Sequence, residues 1–223
     1  MAKSKKENKK IVDMVSLMND SIASVGTFKP KFNPQAGKVF SDELNILGTA
    51  FWISDKNVLV TCAHVVAEVL QSPFELAGLL VIGYKGNFYR TAVSVIDHQH
   101  DLAILSVIDP IEKTNSGLEL TKSYPKVSTK VSWAGYPLGN LLLNQIHQPT
   151  YNEGVVGIEK RDEGNRKVIQ ISGTVVGGYS GSPVVTTKDC KVVGVVSNGP
   201  QNAGIFMAVS YEHLEALYNL ATS

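Results

Sequence analysis

Cysteine is scarce in this 223-residue sequence, which holds only Cys62 and Cys190. A disulfide scaffold would show more, so the chain must be held by a packed core, and an intracellular, reducing compartment is expected. Long apolar runs are also missing. None reaches the roughly 18 residues of a spanning helix, because Gly, Lys or Asn interrupts each stretch, so no membrane span is expected. The basic N-terminus has no apolar stretch close behind it, so a secretory signal is not expected either. Excess charge of one sign is absent from the body of the chain. The net +1 divides into +4 over residues 1–10 and −3 over the rest. A nucleic-acid partner is therefore not expected, and the basic tail reads as a solvated leader.

What is present is an ordinary globular composition, 43% hydrophobic and 18% charged. The length corresponds to between one and two domains and can bury a sizeable core. Apolar residues at 11, 14, 15, 18, 22 and 25 fit one face of a helix over Ile11 to Val25. Residues 26–45, rich in Pro, Gly, Lys and Asn, read as a linker or wrapping arm. From Gly48 onward the pattern changes to short β-type runs near 48–53, 58–61, 79–84, 88–96, 102–107, 127–133, 153–159, 167–171, 183–187, 192–197 and 204–209. So many short strands predict an all-β sandwich or pair of barrels, not a βαβ sheet. Two further helices are expected, a short one over His64–Leu70 and one over Ser210–Leu220 with Ser210 as N-cap.

Three short stretches place chemically useful residues in specific settings. Thr61-Cys62-Ala63-His64 follows an apolar strand, Asp101-Leu102-Ala103-Ile104-Leu105 opens one, and Gly178-Tyr179-Ser180-Gly181-Ser182-Pro183 frames a serine in a glycine turn. A serine hydroxyl is a weak nucleophile that needs an adjacent base. Imidazole can take its proton and return it to a leaving group if a carboxylate fixes the tautomer. Glycines beside the serine allow a sharp turn that aims backbone N–H groups at a developing oxyanion. Each element alone has an ordinary structural reading: a surface histidine, a turn aspartate, a chance glycine turn. Their combination, in the order His, Asp, Ser within an all-β pattern, points to nucleophilic catalysis.

These motifs resemble those of trypsin-like, chymotrypsin-fold serine proteases, over roughly residues 46–220. Gly135-Tyr136-Pro137-Leu138-Gly139, Glu153-Gly154-Val155-Val156-Gly157-Ile158 and Ile169-Gln170-Ile171 resemble the HtrA/Deg-like branch in order and spacing. The resemblance implies a chymotrypsin-like double β-barrel with a C-terminal helix and an N-terminal helical extension. Residues 1–45 would be tail, helix and linker arm, and 46–223 the protease domain with its site between the barrels. It implies His64 as general base, Asp101 as its orienting carboxylate and Ser180 as nucleophile, with the N–H groups of Gly178 and Ser180 as oxyanion hole. Ser197 would support Asp101 and offer its backbone to substrate. Thr174, Val175, Gly199 and Gly204 would line the specificity pocket with it. The implied function is a serine endopeptidase acting on polypeptides through an acyl-enzyme.

Several departures from that family matter. Tyr179 stands where extracellular relatives carry an Asp that pairs with a freed N-terminal amine, so activity is expected without cleavage before Ile11. Ser182 replaces a glycine of the motif. Together they motivate an alternative: a catalytically silent or gated protease-fold module that binds peptides or a partner. Gating would require an activating ligand or partner; oligomeric state is left open. No acid lies at the pocket base, and Val196 stands where glutamyl endopeptidases carry a histidine, so an apolar residue before the scissile bond is expected. The pair His98 and His100 lacks further ligands at zinc spacing, so neither a metal nor a cofactor is expected. An α/β-hydrolase elbow fails on its last glycine, on the strand that follows, and on triad order.

Overall fold

The computed structural model describes residues 13–33, 37–54, 58–71, 79–112, 117–139, 148–199 and 203–223, with the backbone alone for 29–33, 37–43 and 68. Six strands close the first barrel: β1 (Ile22–Asn33), β2 (Gly37–Trp52), β3 (Val58–Thr61), β4 (Leu79–Tyr84), β5 (Asn87–Asp97) and β6 (Leu102–Val107), in the order β1-β2-β3-β6-β5-β4. The second closes through β8 (Lys130–Gly135), β9 (Thr150–Glu163), β10 (Arg166–Ser172), β13 (Ile205–Ser210), β12 (Lys191–Asn198) and β11 (Pro183–Thr186). A two-residue strand β7 (Glu119–Leu120) adds to β12 in parallel. Closure leaves no long edge strand exposed in either barrel. The architecture is the expected chymotrypsin-like double barrel.

Strand sequences explain their burial. β6 and β12 are near-continuous runs of Val, Leu, Ile and Ala, and both are buried along most of their length. Trp52, Phe51, Leu59, Ile82, Leu102 and Ile104 are fully buried in the core built on both faces of the first barrel's strands. Trp133 and Phe206 meet edge to face in the second, with ring centroids 4.8 Å apart. Helix α2 (Ala63–Gln71) follows β3 directly, and α3 (Tyr211–Thr222) closes the chain. Ser210 Oγ accepts from Glu212 N at 3.2 Å, as the cap reading required, and Leu214 and Leu217 bury α3 against the β6/β12 side.

Two expectations for the N-terminal part are corrected. The described residues of 26–45 are no linker: 26–33 belong to β1 and 37–45 to β2, and a boundary at 45/46 falls inside β2. Turn-forming residues misled here because the β1–β2 ladder absorbs them at register shifts between Val25 and Gly26 and between Phe28 and Pro30. The helix predicted from Ile11 to Val25 is α1 over 13–19, and Ile22–Val25 lie in β1. Asn19, Asp20 and Ser21 favour turns over helix and end it, while the β-branched residues that follow find partners in β2 and β4. The N-terminal helix itself is present as expected, and α1 packs on the first barrel with Met14 and Met18 buried in its core. Tyr84 Oη donates to Asp20 O at 2.9 Å and Tyr151 Oη to Val15 O at 3.0 Å, so both barrels hold it. Residues 11 and 12, with the cleavage position before Ile11, lie outside the described residues.

Candidate active site

The cleft between the barrels collects the predicted residues from both sides. His64 stands in the first turn of α2, where β3 hands the chain to the helix, and its side chain is half exposed. Asp101 closes the turn between β5 and β6 with φ +59°, a left-handed conformation that Asp tolerates better than most residues. Ser180 and Ser197 come from the second barrel. Ser197 sits on β12 at a register shift between Val196 and Asn198 opposite β13, and this bulge turns its side chain to the cleft.

Hydrogen bonds join three of these residues in one chain. His64 Nδ1 lies 3.0 and 2.9 Å from the two oxygens of Asp101, and His64 N donates to Asp101 Oδ1 at 3.0 Å. Ser197 Oγ donates to Asp101 Oδ2 at 2.6 Å. An ionised carboxylate only accepts, so the Nδ1 proton must point at Asp101, and in the neutral ring the lone pair then lies on Nε2. Burial pushes the Asp101 carboxyl up, but the bonds from the His64 ring, Ser197 and the His64 backbone outweigh it and hold the group below its ordinary value.

Ser180 lies between two glycines with positive φ, Gly178 at +97° and Gly181 at +88°. Neither position has room for a side chain: a Cβ on Gly178 would lie 2.1 Å from Tyr136 O, and one on Gly181 2.0 Å from Thr49 O. Leu138 N holds Gly177 O at 2.6 Å, which turns the Gly178 N–H the opposite way across the planar peptide. Among the described residues the N–H groups of Gly178 and Ser180 have no acceptor within the chain. Ser180 Oγ donates to Ser197 O at 3.4 Å, and no hydrogen bond to His64 is present.

Thr49, a residue no sequence motif marked, fastens this turn from the first barrel. Its N donates to Ser180 O at 2.9 Å, its Oγ1 donates to Gly178 O at 2.8 Å and accepts from Tyr136 N at 3.1 Å, and its O accepts from Thr61 Oγ1 at 2.7 Å. Tyr179 and Ser182, the two departures from the motif, both point inward. The Tyr179 ring is buried in the second core with its hydroxyl on Asn152, and Ser182 is fully buried. Neither side chain obstructs the cleft.

A cavity of about 350 Å³ opens beside Ser180, lined by Val175, Val176, Gly177, Ser180, Val196, Ser197, Asn198 and Gly199. Val175, Ser197 and Gly199 were expected there. Thr174 and Gly204 are not among the lining residues; Gly204 O instead accepts from Gly173 N at 2.9 Å, tying the two loops that flank the cavity. Among the described residues, none that lines the cavity is charged.

Among the described residues one group could approach a metal: Cys62, His64 and Asp101, with ligand atoms within 4.8 Å of one another. Its chemistry suits a hydrogen-bonded dyad above a buried thiol better than a metal site. Cys62 Sγ donates to Val196 O at 3.1 Å, and burial pushes its thiol well up, away from the thiolate a metal needs. His100 is committed elsewhere: its Nδ1 bonds Asp97 at 2.6 Å and its ring stacks on His213 at 3.8 Å.

The sequence profile of the trypsin-like peptidase domain matches residues 48–195. The chain belongs to the trypsin-like peptidase family. The match runs from Gly48, beside Thr49, to Val195, two residues short of Ser197. A search of curated proteins gives no match. Among solved structures, the inactive form of Rv3671c from M. tuberculosis H37Rv, a Ser-to-Ala mutant, superimposes with a TM-score of 0.68 at 18% identity, covering 94% of this chain and 90% of that one. The active form of the Rv3671c protease superimposes at 0.67 and 20% identity, covering 92% and 82%. At such identity the likeness concerns the trypsin-like fold, which these structures share over nearly the whole chain.

Proposed function

We propose that this trypsin-like peptidase is a serine endopeptidase working through an acyl-enzyme. The observation that carries the reading is the chain from His64 Nδ1 through Asp101 to Ser197, set in the cleft with Ser180 and two N–H groups that have no acceptor among the described residues. In the reaction, Ser180 Oγ attacks the scissile carbonyl carbon while its proton passes to His64 Nε2, and Asp101 stabilises the resulting imidazolium. The N–H groups of Gly178 and Ser180 meet the charge that develops on the carbonyl oxygen. His64 then gives the proton to the leaving amine, and water repeats the sequence on the ester.

Ser180 Oγ rests on the Ser197 carbonyl, the group that the family resemblance assigns to the substrate backbone. A substrate N–H arriving at that carbonyl would displace Ser180 Oγ and free it to turn toward His64. The uncharged cavity favours an apolar side chain before the scissile bond. The resting position of Ser180 also favours the gated version of the alternative, in which the hydroxyl engages His64 only when a peptide is bound.

A fluorophosphonate probe tests the reading. Labelling of the wild-type protein, lost in Ser180→Ala, is expected; undiminished labelling of Ser180→Ala removes this residue from the mechanism. Labelling that rises on adding an apolar peptide identifies gating, and labelling that stays absent with and without peptide identifies a silent binding module.

A further inference from the structure

Arg166 has no place in the motifs above, yet its side chain reaches the far end of the hydrogen-bond chain. It opens β10 directly after a two-residue turn, Gly164-Asn165, and stands opposite Glu163 in the β9–β10 hairpin. Gly164 has φ +64°, as the first position of a type II′ turn requires. Arg166 Nη2 donates to Glu163 Oε2 at 3.1 Å, and Nη1 donates to Ser197 Oγ at 3.1 Å. The side chain is only 15% exposed, so the guanidinium is held between the two by its surroundings.

We propose that Arg166 is a positioning residue that fixes the direction of the Ser197 hydroxyl and thereby the Asp101 carboxylate. A guanidinium has donors only, so Ser197 Oγ must accept from Arg166. A hydroxyl carries one proton, and with a donor on one side that proton is directed to the acceptor on the other, Asp101 Oδ2. The chain therefore has one polarity, from Arg166 through Ser197 to Asp101, and each bond strengthens the next. Without Arg166 the hydroxyl is free to rotate away, and Asp101 loses its anchor on the side opposite His64. Glu163 holds the guanidinium at its other edge, as a carboxylate does in charge-assisted pairs. The charge also reaches into the site: burial and then Asp101 push the Cys62 thiol up, and Arg166 opposes them.

This role rests on the proposed triad chemistry, and its test is built to fail separately. Arg166→Gln and Arg166→Lys are compared with wild type in peptide hydrolysis across pH, with melting temperature as fold control. Arg166→Gln is expected to lower kcat about tenfold with little change in KM, through loss of alignment. Its acid limb should move to higher pH, because removing a positive charge joined to the site through Ser197 favours the protonated base. Arg166→Lys keeps the charge, so its acid limb should stay in place while part of the rate is lost. A wild-type kcat and acid limb in Arg166→Gln overturns the role. So does a loss of rate that only tracks melting temperature with the limb unmoved. Proton NMR of the His64 Nδ1–H resonance gives a readout independent of turnover: broadening in Arg166→Gln supports the role, and an unchanged signal overturns it. A wild-type protein whose Ser180 takes no probe would end the nucleophile reading, and the resonance would still decide Arg166.

Discussion

Asp101 gathers the hydrogen bonds of both His64 and Ser197, and its replacement has two separable consequences. An Asn side chain keeps the shape but presents an amide that can donate to Nδ1, which favours the wrong histidine tautomer. Turnover of Asp101→Asn should fall about ten-thousandfold on the family logic, measured with any peptide the wild type cleaves. The second consequence concerns stability. The folded Asp101 carboxyl lies below its ordinary value, so the unfolded chain binds protons first as pH falls. Its stabilisation is therefore complete above about pH 4, the ordinary carboxylate range, and is lost as pH drops through the lower folded value. In urea titrations the stability gap between wild type and Asp101→Asn should narrow from pH 5 toward pH 2; a constant gap would show that the charge contributes nothing. At this scale the sequence was informative where chemistry is local. His64, Asp101, Ser180 and Ser197 each lie in a short stretch whose neighbours reveal them, and the structure brings His64, Asp101 and Ser197 into one hydrogen-bonded chain. Arg166 and Thr49 were not legible, because their partners stand 31 and 129 residues away and only the folding of the second barrel, for Arg166, and the docking of the two barrels, for Thr49, bring them together. The pocket was half legible for the same reason: Val175 and Gly199 sit at fixed offsets from Ser180, but which loop residues face inward depends on how two loops meet.

Among the elements, the barrel strands from β3 onward were readable because short apolar runs and turn residues agree. The first hairpin was not, since its register shifts permit Pro and Gly inside a paired ladder. The N-terminal helix shows how far periodicity carries. Apolar spacing correctly signalled a helix with a buried face, but it could not tell where α1 gives way to β1, because Ile22 and Val25 suit either face. Met18 is the residue by which α1 enters the core, with no exposure to solvent. Met18→Ala removes most of that buried side chain and should cost about 3 kcal/mol, read as a lowered urea midpoint with an unchanged slope. A loss below about 0.5 kcal/mol would mean that the site collapses around the deletion, or that α1 contributes little to the fold.

Across the whole molecule, each barrel supplies half of a site that neither contains alone. His64 and Asp101 belong to the first barrel, Ser180 and Ser197 to the second, so the chemistry depends on how firmly the barrels are registered. Bonds that cross between them among the described residues include Ser197 Oγ to Asp101, Cys62 Sγ to Val196 O, Tyr151 Oη to Val15 O, and those of Thr49. Thr49 is the informative one to alter, because it touches no reacting atom and joins the first barrel to the turn that carries Ser180. Thr49→Val keeps the branched shape and removes only the hydroxyl. Gly178 O, partly buried, then loses its donor and Tyr136 N, fully buried, its acceptor, for an expected loss of about 2 kcal/mol. The backbone bond from Thr49 N to Ser180 O remains, so the barrels should stay docked while the Gly178 peptide gains freedom. If the hydroxyl holds the turn in its working shape, probe labelling of Ser180 should slow by about tenfold or more, since an oxyanion donor that wanders stabilises less charge. Lost stability with an unchanged labelling rate would instead show that the turn keeps its shape from Leu138 and its own glycines, and that Thr49 serves only to hold the barrels together.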